Sequence, residues 1–319
     1  MQLLFLGTGA GMPSKHRNSS SLALKLLEER GTFWLFDCGE ATQHQMLHTT
    51  LKPRKIEKVF ITHLHGDHIF GLPGLLGSRS FQGGEEPLDI YGPTGIKELV
   101  ETFLRLSRTH LTYKIVFHEN LDGIIFEDET MVVKAALLDH VIPSYGFRIA
   151  QKPLQPKLNI EKATEYGVPK GPLLAKLKAG EDVVLENGQI VKSIDVTEPA
   201  HPGFVVSILG DTRFCKAAIE LSRDADIVVH EATFDAETKK MARGYGHSTI
   251  YDAAKTASLA GAKALIANHI SSRFLPDDDK ILTEQVRGIH PNVFIARDFA
   301  EYEWHQHNQE VRKKIESRR

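Results

Sequence analysis

The segment Thr62-His63-Leu64-His65-Gly66-Asp67-His68 constrains this chain more than any other stretch. It follows the apolar, β-like run 58–61 directly, so three imidazoles and a carboxylate are delivered together at the end of one strand. Clustering this dense suits neither a core nor an ordinary surface. Imidazole nitrogen and carboxylate oxygen are the ligands expected of zinc or a similar divalent metal. In an extended turn His63 and His65 point the same way, because side chains alternate with a period of two. Gly66 is then expected to let the chain turn, so that Asp67 and His68 face a second position.

Three more places share one architecture. Leu137-Leu138-Asp139-His140, Ser207-Ile208-Leu209-Gly210-Asp211 and Ile266-Ala267-Asn268-His269 each end an apolar run on a His or an Asp. Singly, each residue could equally be structural. Together, at the strand edge where open α/β sheets place ligands, they read as one converging site. His63, His65 and His140 then suit one metal, and Asp67, His68 and His269 a second. Asp211 is the natural bridge, because a carboxylate has two oxygens. Two metals about 3.5–4 Å apart would share a water, lower its pKa and clamp a phosphoryl group. Three ligands plus a shared one leave room for that water, so the site reads as catalytic.

The rest of the chain alternates the two periodicities. Strands are predicted at 3–6, 33–36, 58–61, 88–91, 115–117, 131–137, 204–209, 227–229 and 264–266, and helices over 40–48, 69–76, 95–106, 215–222, 249–260 and 277–287. Pro93-Thr94 and Ser248-Thr249 mark two helix starts. Interleaved strands and helices imply a layered α/β fold. The 319 residues, 41% hydrophobic and 25% charged, exclude wholesale disorder and collagen and can bury a substantial core. Lys+Arg 39 against Asp+Glu 41 excludes a uniformly basic coat, though not a local patch. Cys38 and Cys215, with no CxxC, exclude a disulfide scaffold and a thiolate zinc knuckle. The start MQLLFLGTGAG reads as a first strand rather than a signal peptide, and no apolar stretch is long enough to cross a bilayer. A reducing cytoplasm and no membrane partner are therefore expected.

One stretch breaks the pattern. Residues 151–190 carry Pro153, Pro156, Pro169 and Pro172 among Gly167, Gly171, Gly180 and Gly188. Lysines 152, 157, 162, 170, 176 and 178 outnumber Glu161 and Glu165 there. It reads as a protruding insertion in one globular body rather than a linker, although composition alone also allows a solvated loop. From Glu301 to the end, a charged tail is predicted to be helical, with His305 and His307 as tail residues rather than ligands. Gly7-Thr8-Gly9-Ala10-Gly11 is close to a dinucleotide fingerprint, but Met12 replaces the third glycine and Pro13 interrupts any helix start, so no such cofactor is expected.

At this point the chain resembles the metallo-β-lactamase superfamily, whose HxHxDH hallmark is His63-Leu64-His65-Gly66-Asp67-His68 here. The likeness extends to the short form of the ribonuclease Z family. A PxKxRN loop is present as Pro13-Ser14-Lys15-His16-Arg17-Asn18. An aspartate motif is present as Asp37-Cys38-Gly39-Glu40-Ala41-Thr42. Also matched are His230-Glu231-Ala232-Thr233, His247-Ser248-Thr249 and Asn268-His269-Ile270-Ser271-Ser272-Arg273-Phe274. These motifs span about residues 1–300. The resemblance implies an αββα sandwich over 1–300 with 151–190 as a flexible arm for transfer RNA, residues 301–319 being a separate charged tail.

The activity it implies is endonucleolytic removal of the 3′ trailer from precursor tRNA. The cut would leave a 3′ hydroxyl on the tRNA and a 5′ phosphate on the trailer, by in-line attack of a metal-bridging hydroxide. Two zinc ions per subunit are implied; manganese or iron would fit similar ligands. Asp67 would accept a proton from the attacking water. His247 would protonate the leaving oxygen, with Glu231 holding its tautomer; a loop or helix-capping hydrogen bond is the other use of that pair. Asp37 would support the histidine loop rather than touch metal. Lys15, Arg17 and Asn18 would meet the RNA 3′ end, while Lys170, Lys176 and Lys178 would hold phosphates on a substrate known by its shape. A homodimer is implied as well. Against these stand a small-molecule hydrolase of the same fold and a nonenzymatic RNA-binding subunit.

Overall fold

In the first strands of the chain nearly every residue is buried, as in QLLFLG of β1 (Gln2–Gly7), SLALKL of β2 (Ser21–Leu26) and TFWLF of β3 (Thr32–Phe36). A strand buried on both faces must lie between two layers. The computed structural model shows how; it describes residues 1–153, 158–198, 202–305, 308 and 310–315, so that Pro156, Lys157 and His307 lie outside it. The further strands are β4 (Ile56–Phe60), β5 (Leu88–Tyr91), β6 (Ile115–His118), β7 (Gly123–Glu127), β8 (Met131–Leu137), β9 (Tyr145–Gln151), β10 (Val183–Val184), β11 (Ile190–Val191), β12 (Val205–Leu209), β13 (Ile227–Glu231), β14 (Ala264–Asn268), β15 (Val293–Ile295), β16 (Ala300–His305) and β17 (Glu310–Ile315). Two large sheets result, ordered β17-β16-β1-β2-β3-β4-β5-β6 and β15-β14-β13-β12-β9-β8-β7.

The chain divides into two compact units. The first comprises Met1–Phe126, Val133–Ile149 and Val205–Arg319. Within it the sheets meet face to face across an aromatic seam. Phe147 of β9 lies 6.0 Å from Phe36 and 5.3 Å from Phe60, and Phe60 stacks on Tyr91 at 4.9 Å. On the outer face of the first sheet, Leu72, Leu75 and Leu76 from helix Leu72–Phe81 and Val100 from helix Ile96–Ser107 pack with Leu35, Val59 and Ile90. On the second, the small residues Ala253, Ala254 and Ala257 of helix Ile250–Leu259 pack with Val228, Leu265 and Ala267. The layers are thus helix, sheet, sheet, helix. The parallel run β12-β13-β14-β15 carries its C-terminal ends to one edge. Asp211, Glu231 and His269 stand at that edge.

The segment after residue 300 is not a helical tail. β16 sits between β1 and β17, with Leu3 opposite Tyr302 and Leu4 opposite Glu301. AEYEWH alternates in side-chain direction, and its charges do not mean exposure: Tyr302 is fully buried, and Glu301 is buried in an ion pair with Lys25 at 2.6 Å. β2, β7, β9, β10, β11 and β15 also lie outside the expected strands. In β2 both faces are covered, so no alternation announces it.

The second unit, Glu127–Val132 with Ala150–Phe204, is folded rather than loop-like. Helices Ile160–Glu165 and Pro172–Lys178, the β10–β11 hairpin and helix Ser193–Val196 enclose Ala163, Val168, Leu177, Val183, Val191 and Val196. Asn159 caps the first helix, and the Ser193 hydroxyl donates to the Leu177 carbonyl at 2.6 Å. Its many glycines and prolines mark the turns between these short elements. Among the described residues, no helix is long and apolar enough to cross a membrane.

The buried Lys25–Glu301 pair yields a prediction. Lys25→Met would leave the Glu301 carboxylate unpaired in the interior and should lower unfolding stability in urea by about 3–5 kcal/mol. An unchanged midpoint would show that the last strands add nothing to the sandwich.

Candidate metal centre

β4 ends at Phe60, and the next residues cross the strand edge in extended form before helix Gly66–Ile69 begins. His63 and His65 project from the crossing, Asp67 and His68 from the first turn of the helix. Gly66 is not in the left-handed region, so a special turn is not its role; a Cβ there would collide with the exposed ring of Phe70. The demanding glycine is Gly39, whose Cβ would strike the Asp67 carbonyl. That close approach lets the Cys38 amide bond the His68 carbonyl at 2.7 Å and the Gly71 amide bond the Cys38 carbonyl at 2.9 Å. The aspartate turn and the histidine loop are thereby fastened together.

The other donors arrive from beyond β8 (His140), β12 (Asp211) and β14 (His269). The inward ligand atoms of His63, His65, His140 and Asp211 lie within 4.8 Å of one another, as do those of Asp67, His68 and His269. Asp211 Oδ2 also stands 3.6 Å from His68 Nε2 and 3.5 Å from His269 Nε2, between the two groups.

The hydrogen bonds on the outer side of the rings decide what the inner side can do. His68 Nδ1 donates to Asp37 Oδ2 at 2.7 Å, and His140 Nδ1 donates to the Gly246 carbonyl at 2.7 Å. The Thr62 hydroxyl donates to Asp37, so it accepts from His63 Nδ1 at 3.0 Å. The Thr233 hydroxyl donates to Glu231 Oε2 and accepts from His269 Nδ1 at 2.9 Å. With the proton on Nδ1, each of these four rings turns a bare Nε2 lone pair inward. His63 Nε2 lies 3.0 Å from His65 Nδ1, and His68 Nε2 lies 3.3 Å from His269 Nε2. Neutral imidazoles converging at these distances, beside two carboxylates, make a donor set that fits two divalent metals.

The titration shifts divide the site: His63, His65 and His140 favour the neutral form, whereas, against the pull of burial, Asp211 and Asp37 hold His68 well above the usual range. Burial, and then the neighbouring imidazoles, hold His63 well below the usual range, and burial lowers His65 and His140. Neutral imidazole is the ligating form. Burial opposes charge on Asp211, yet His269, His68 and His63 keep its carboxyl well below the usual range. Burial opposes charge on Asp67 as well, yet the neighbouring His269 and His68 keep its carboxyl well below the usual range. Asp37 and His269 have φ of 56° and 53°, left-handed values that non-glycine residues adopt only when their surroundings impose them.

Glu231 and His247 stand beside this cluster. Glu231 Oε1 accepts from His247 Nδ1 at 2.9 Å and from the Thr212 amide at 2.9 Å, and the ring lies 3.7 Å from Asp211. Burial would lower the His247 pKa, but Glu231 and Asp211 push it up to about 9.

Two of the residues expected at the RNA 3′ end are employed otherwise. Arg17 is buried, its guanidinium donating to the Thr8 hydroxyl at 2.8 Å, to the Ala296 carbonyl and to Asp279 at 3.1 Å. The Asn18 side chain donates to the Glu40 carbonyl at 2.8 Å. The loop turns inward at this point because Gly9 bonds back to Asn18, which draws Arg17 under it. Lys15 is exposed, as are Lys170, Lys176 and Lys178 in the second unit. The glycine run 7–11 serves packing, not a cofactor: β1 returns as antiparallel β2 with no helix between, and Cβ atoms at Gly7 and Gly9 would crowd Ser19 and Asn18. Residue-level reading gave no role to Thr62, Thr233, the Gly246 carbonyl or the Gly11 amide. The two threonines lie inside the recognised motifs, whereas the backbone groups carry no sequence signal.

Known proteins are similar to this chain in sequence and in fold. A family model described as "Anti-Pycsar protein Apyc1" matches residues 1–152. Proteins named Ribonuclease Z from Anoxybacillus flavithermus and Geobacillus kaustophilus are 54% and 55% identical over 302 residues, covering 95% of this chain and 97% and 98% of their own. The chain belongs to the ribonuclease Z family. The crystal structure of the short form of human tRNase Z is similar at a TM-score of 0.70 and 32% identity, covering 95% of this chain and 99% of that one. The metallo-β-lactamase fold protein YhfI from Bacillus subtilis is similar at a TM-score of 0.65, 16% identity and 98% of both chains, a likeness of fold alone. The sandwich described above is that fold.

Asp37→Asn tests the outer hydrogen bonds. It removes the carboxylate that orients His68 and Thr62, and metal affinity should fall about 10–100-fold in a chelator titration. Unchanged retention would mean that Asp37 serves only the local fold.

Proposed function

We propose that this protein is the endonuclease that removes the 3′ trailer from precursor tRNA, with two divalent metals per subunit held by His63, His65, His140, Asp67, His68, His269 and the shared Asp211. Zinc suits the mixed nitrogen and oxygen donors best. The observation that carries the reading is the Glu231–His247 pair, set at 2.9 Å beside Asp211 in a chain of this family.

Metals bound there would supply an activated water and offset charge on the phosphoryl group. The chain's own residues do the rest. Asp67, ionised and receiving the Gly11 amide at 2.8 Å, is the base that takes the proton of the attacking water. His247 is protonated at neutral pH and is the acid for the leaving 3′ oxygen. Glu231 is saturated by Thr212, Thr233 and His247, so it orients the ring without leaving it free to turn. Cations suited to RNA phosphates flank this acid: Lys240 and Arg243 are exposed on helix Lys239–Tyr245, which leads directly into His247. Lys15 on its loop and Lys170, Lys176 and Lys178 in the second unit are further phosphate contacts in this reading. The two cysteines are unpaired, which suits a reducing cytoplasm, and a homodimer is the assembly that the family resemblance implies.

His247→Ala should cut turnover about 10²–10⁴-fold with metal content intact. Loss of metal together with activity would make His247 a ligand instead. Replacing residues 158–198 by a short glycine–serine linker should weaken precursor tRNA binding yet spare hydrolysis of a small phosphodiester; equal loss on both substrates would refute the arm. The direct test of the activity is to map the cut on a precursor tRNA with added zinc or manganese. A cut just after the unpaired 3′ base, leaving a 3′ hydroxyl, is expected. Exclusive cleavage of simple esters would identify a small-molecule hydrolase.

A further inference from the structure

The loop 8–18 carries the motif expected to grip RNA, yet its one arginine is buried beneath it. Arg17 reaches three acceptors at once: the Thr8 hydroxyl at the start of the loop, the Ala296 carbonyl and the Asp279 carboxylate. Asp279 is itself fixed by Arg297 at 2.6 Å. Beside them Asp298 takes the Thr8 hydroxyl at 2.7 Å, the Asn18 amide at 2.7 Å and the Gln45 side chain at 3.1 Å. Both ends of the loop are therefore pinned to one buried polar knot. The next residue, Phe299, has φ of 64°, strained for an aromatic side chain, so the knot's own backbone is imposed by its surroundings.

The pinned loop touches the metal centre in two places, both on one side of it. The Gly11 amide donates to Asp67 Oδ2 at 2.8 Å. The residue after His269 is held as well: the Ile270 amide donates to the Thr8 carbonyl at 2.8 Å, and the Ala10 amide donates to the Ile270 carbonyl at 3.2 Å. Asp67 and His269 belong to the group completed by His68. Among the described residues, this loop makes no hydrogen bond to His63, His65 or His140. We infer that Arg17 is a positioning residue for the Asp67–His68–His269 position, and that it sets the hold on that metal through the loop rather than contacting RNA. A displaced loop would withdraw the Gly11 donor from Asp67 and let the His269 turn shift, leaving the other position intact.

The inference rests on the two-metal reading above, and the test separates the two. Arg17→Lys is the informative variant. A phosphate contact tolerates lysine as a point charge, whereas a guanidinium fork that spans three acceptors has no lysine equivalent. Zinc content is followed by mass spectrometry during titration with a chelator, beside thermal unfolding and the salt dependence of precursor tRNA binding. Wild-type protein should release two equivalents of zinc in two steps. In Arg17→Lys the first equivalent should leave at about tenfold lower chelator concentration, with the second unmoved. The slope of log binding constant against log salt should not change. Asp279→Asn, which weakens the same anchor from a less buried site, should behave alike and keeps the test decisive if the arginine variant does not fold. Unaltered release of both equivalents from a folded variant would overturn the inference. In Arg17→Met, which removes the charge, a salt slope lower by about one with zinc retained would overturn it as well, the mark of a lost phosphate contact. Fewer than two equivalents in the wild type would instead overturn the two-metal reading itself.

Discussion

Ring nitrogens of four histidines and oxygens of two carboxylates converge with neighbouring atoms 3.0 to 3.6 Å apart, a set of donors suited to holding cations among them. Everything around the site works to maintain that convergence. Thr62, Asp37, Thr233 and the Gly246 carbonyl hold the outer nitrogens, so that rotation of a ring would break a buried hydrogen bond. Backbone strain at Asp37 and His269 is tolerated where it serves the same end. The cost of burying so many polar groups without metal is the reason to expect that folding and metal binding reinforce each other.

The sandwich supplies the rigidity this requires. The parallel strands β12, β13 and β14 end side by side, which places Asp211, Glu231 and His269 on neighbouring chains. The histidine loop comes from the opposite sheet, so the site lies where the two sheets meet at one edge. The aromatic seam of Phe36, Phe60, Phe147 and Tyr91 fixes their spacing below it. The proposed base Asp67 thus follows β4 of one sheet, and Glu231, which holds the proposed acid His247, stands on β13 of the other.

Much of this was legible in the amino-acid sequence, for a local reason. HxHxDH packs four donors into six positions, and His140, Asp211 and His269 each follow an apolar strand, so short-range pattern and strand direction suffice to gather them. What depended on distant contacts was not legible. Arg17 reads as a cation for RNA until its acceptors at Thr8, Asp279 and Ala296 are seen. Glu301 reads as solvated until Lys25 appears opposite it. Gly66 looked like a turn residue, whereas the close approach is made at Gly39. The second unit was hidden because its core residues are spaced irregularly between glycines and prolines, with no period for a single sequence to reveal.

The central claim is that seven side chains from separate strand ends share two cations. Anomalous difference maps recorded at the zinc edge, from crystals grown with zinc, test it most directly. The account predicts two peaks per chain, one among His63, His65 and His140, the other among Asp67, His68 and His269, both within ligand distance of Asp211. A single peak enclosed by four protein ligands, with no position left for water, would contradict it.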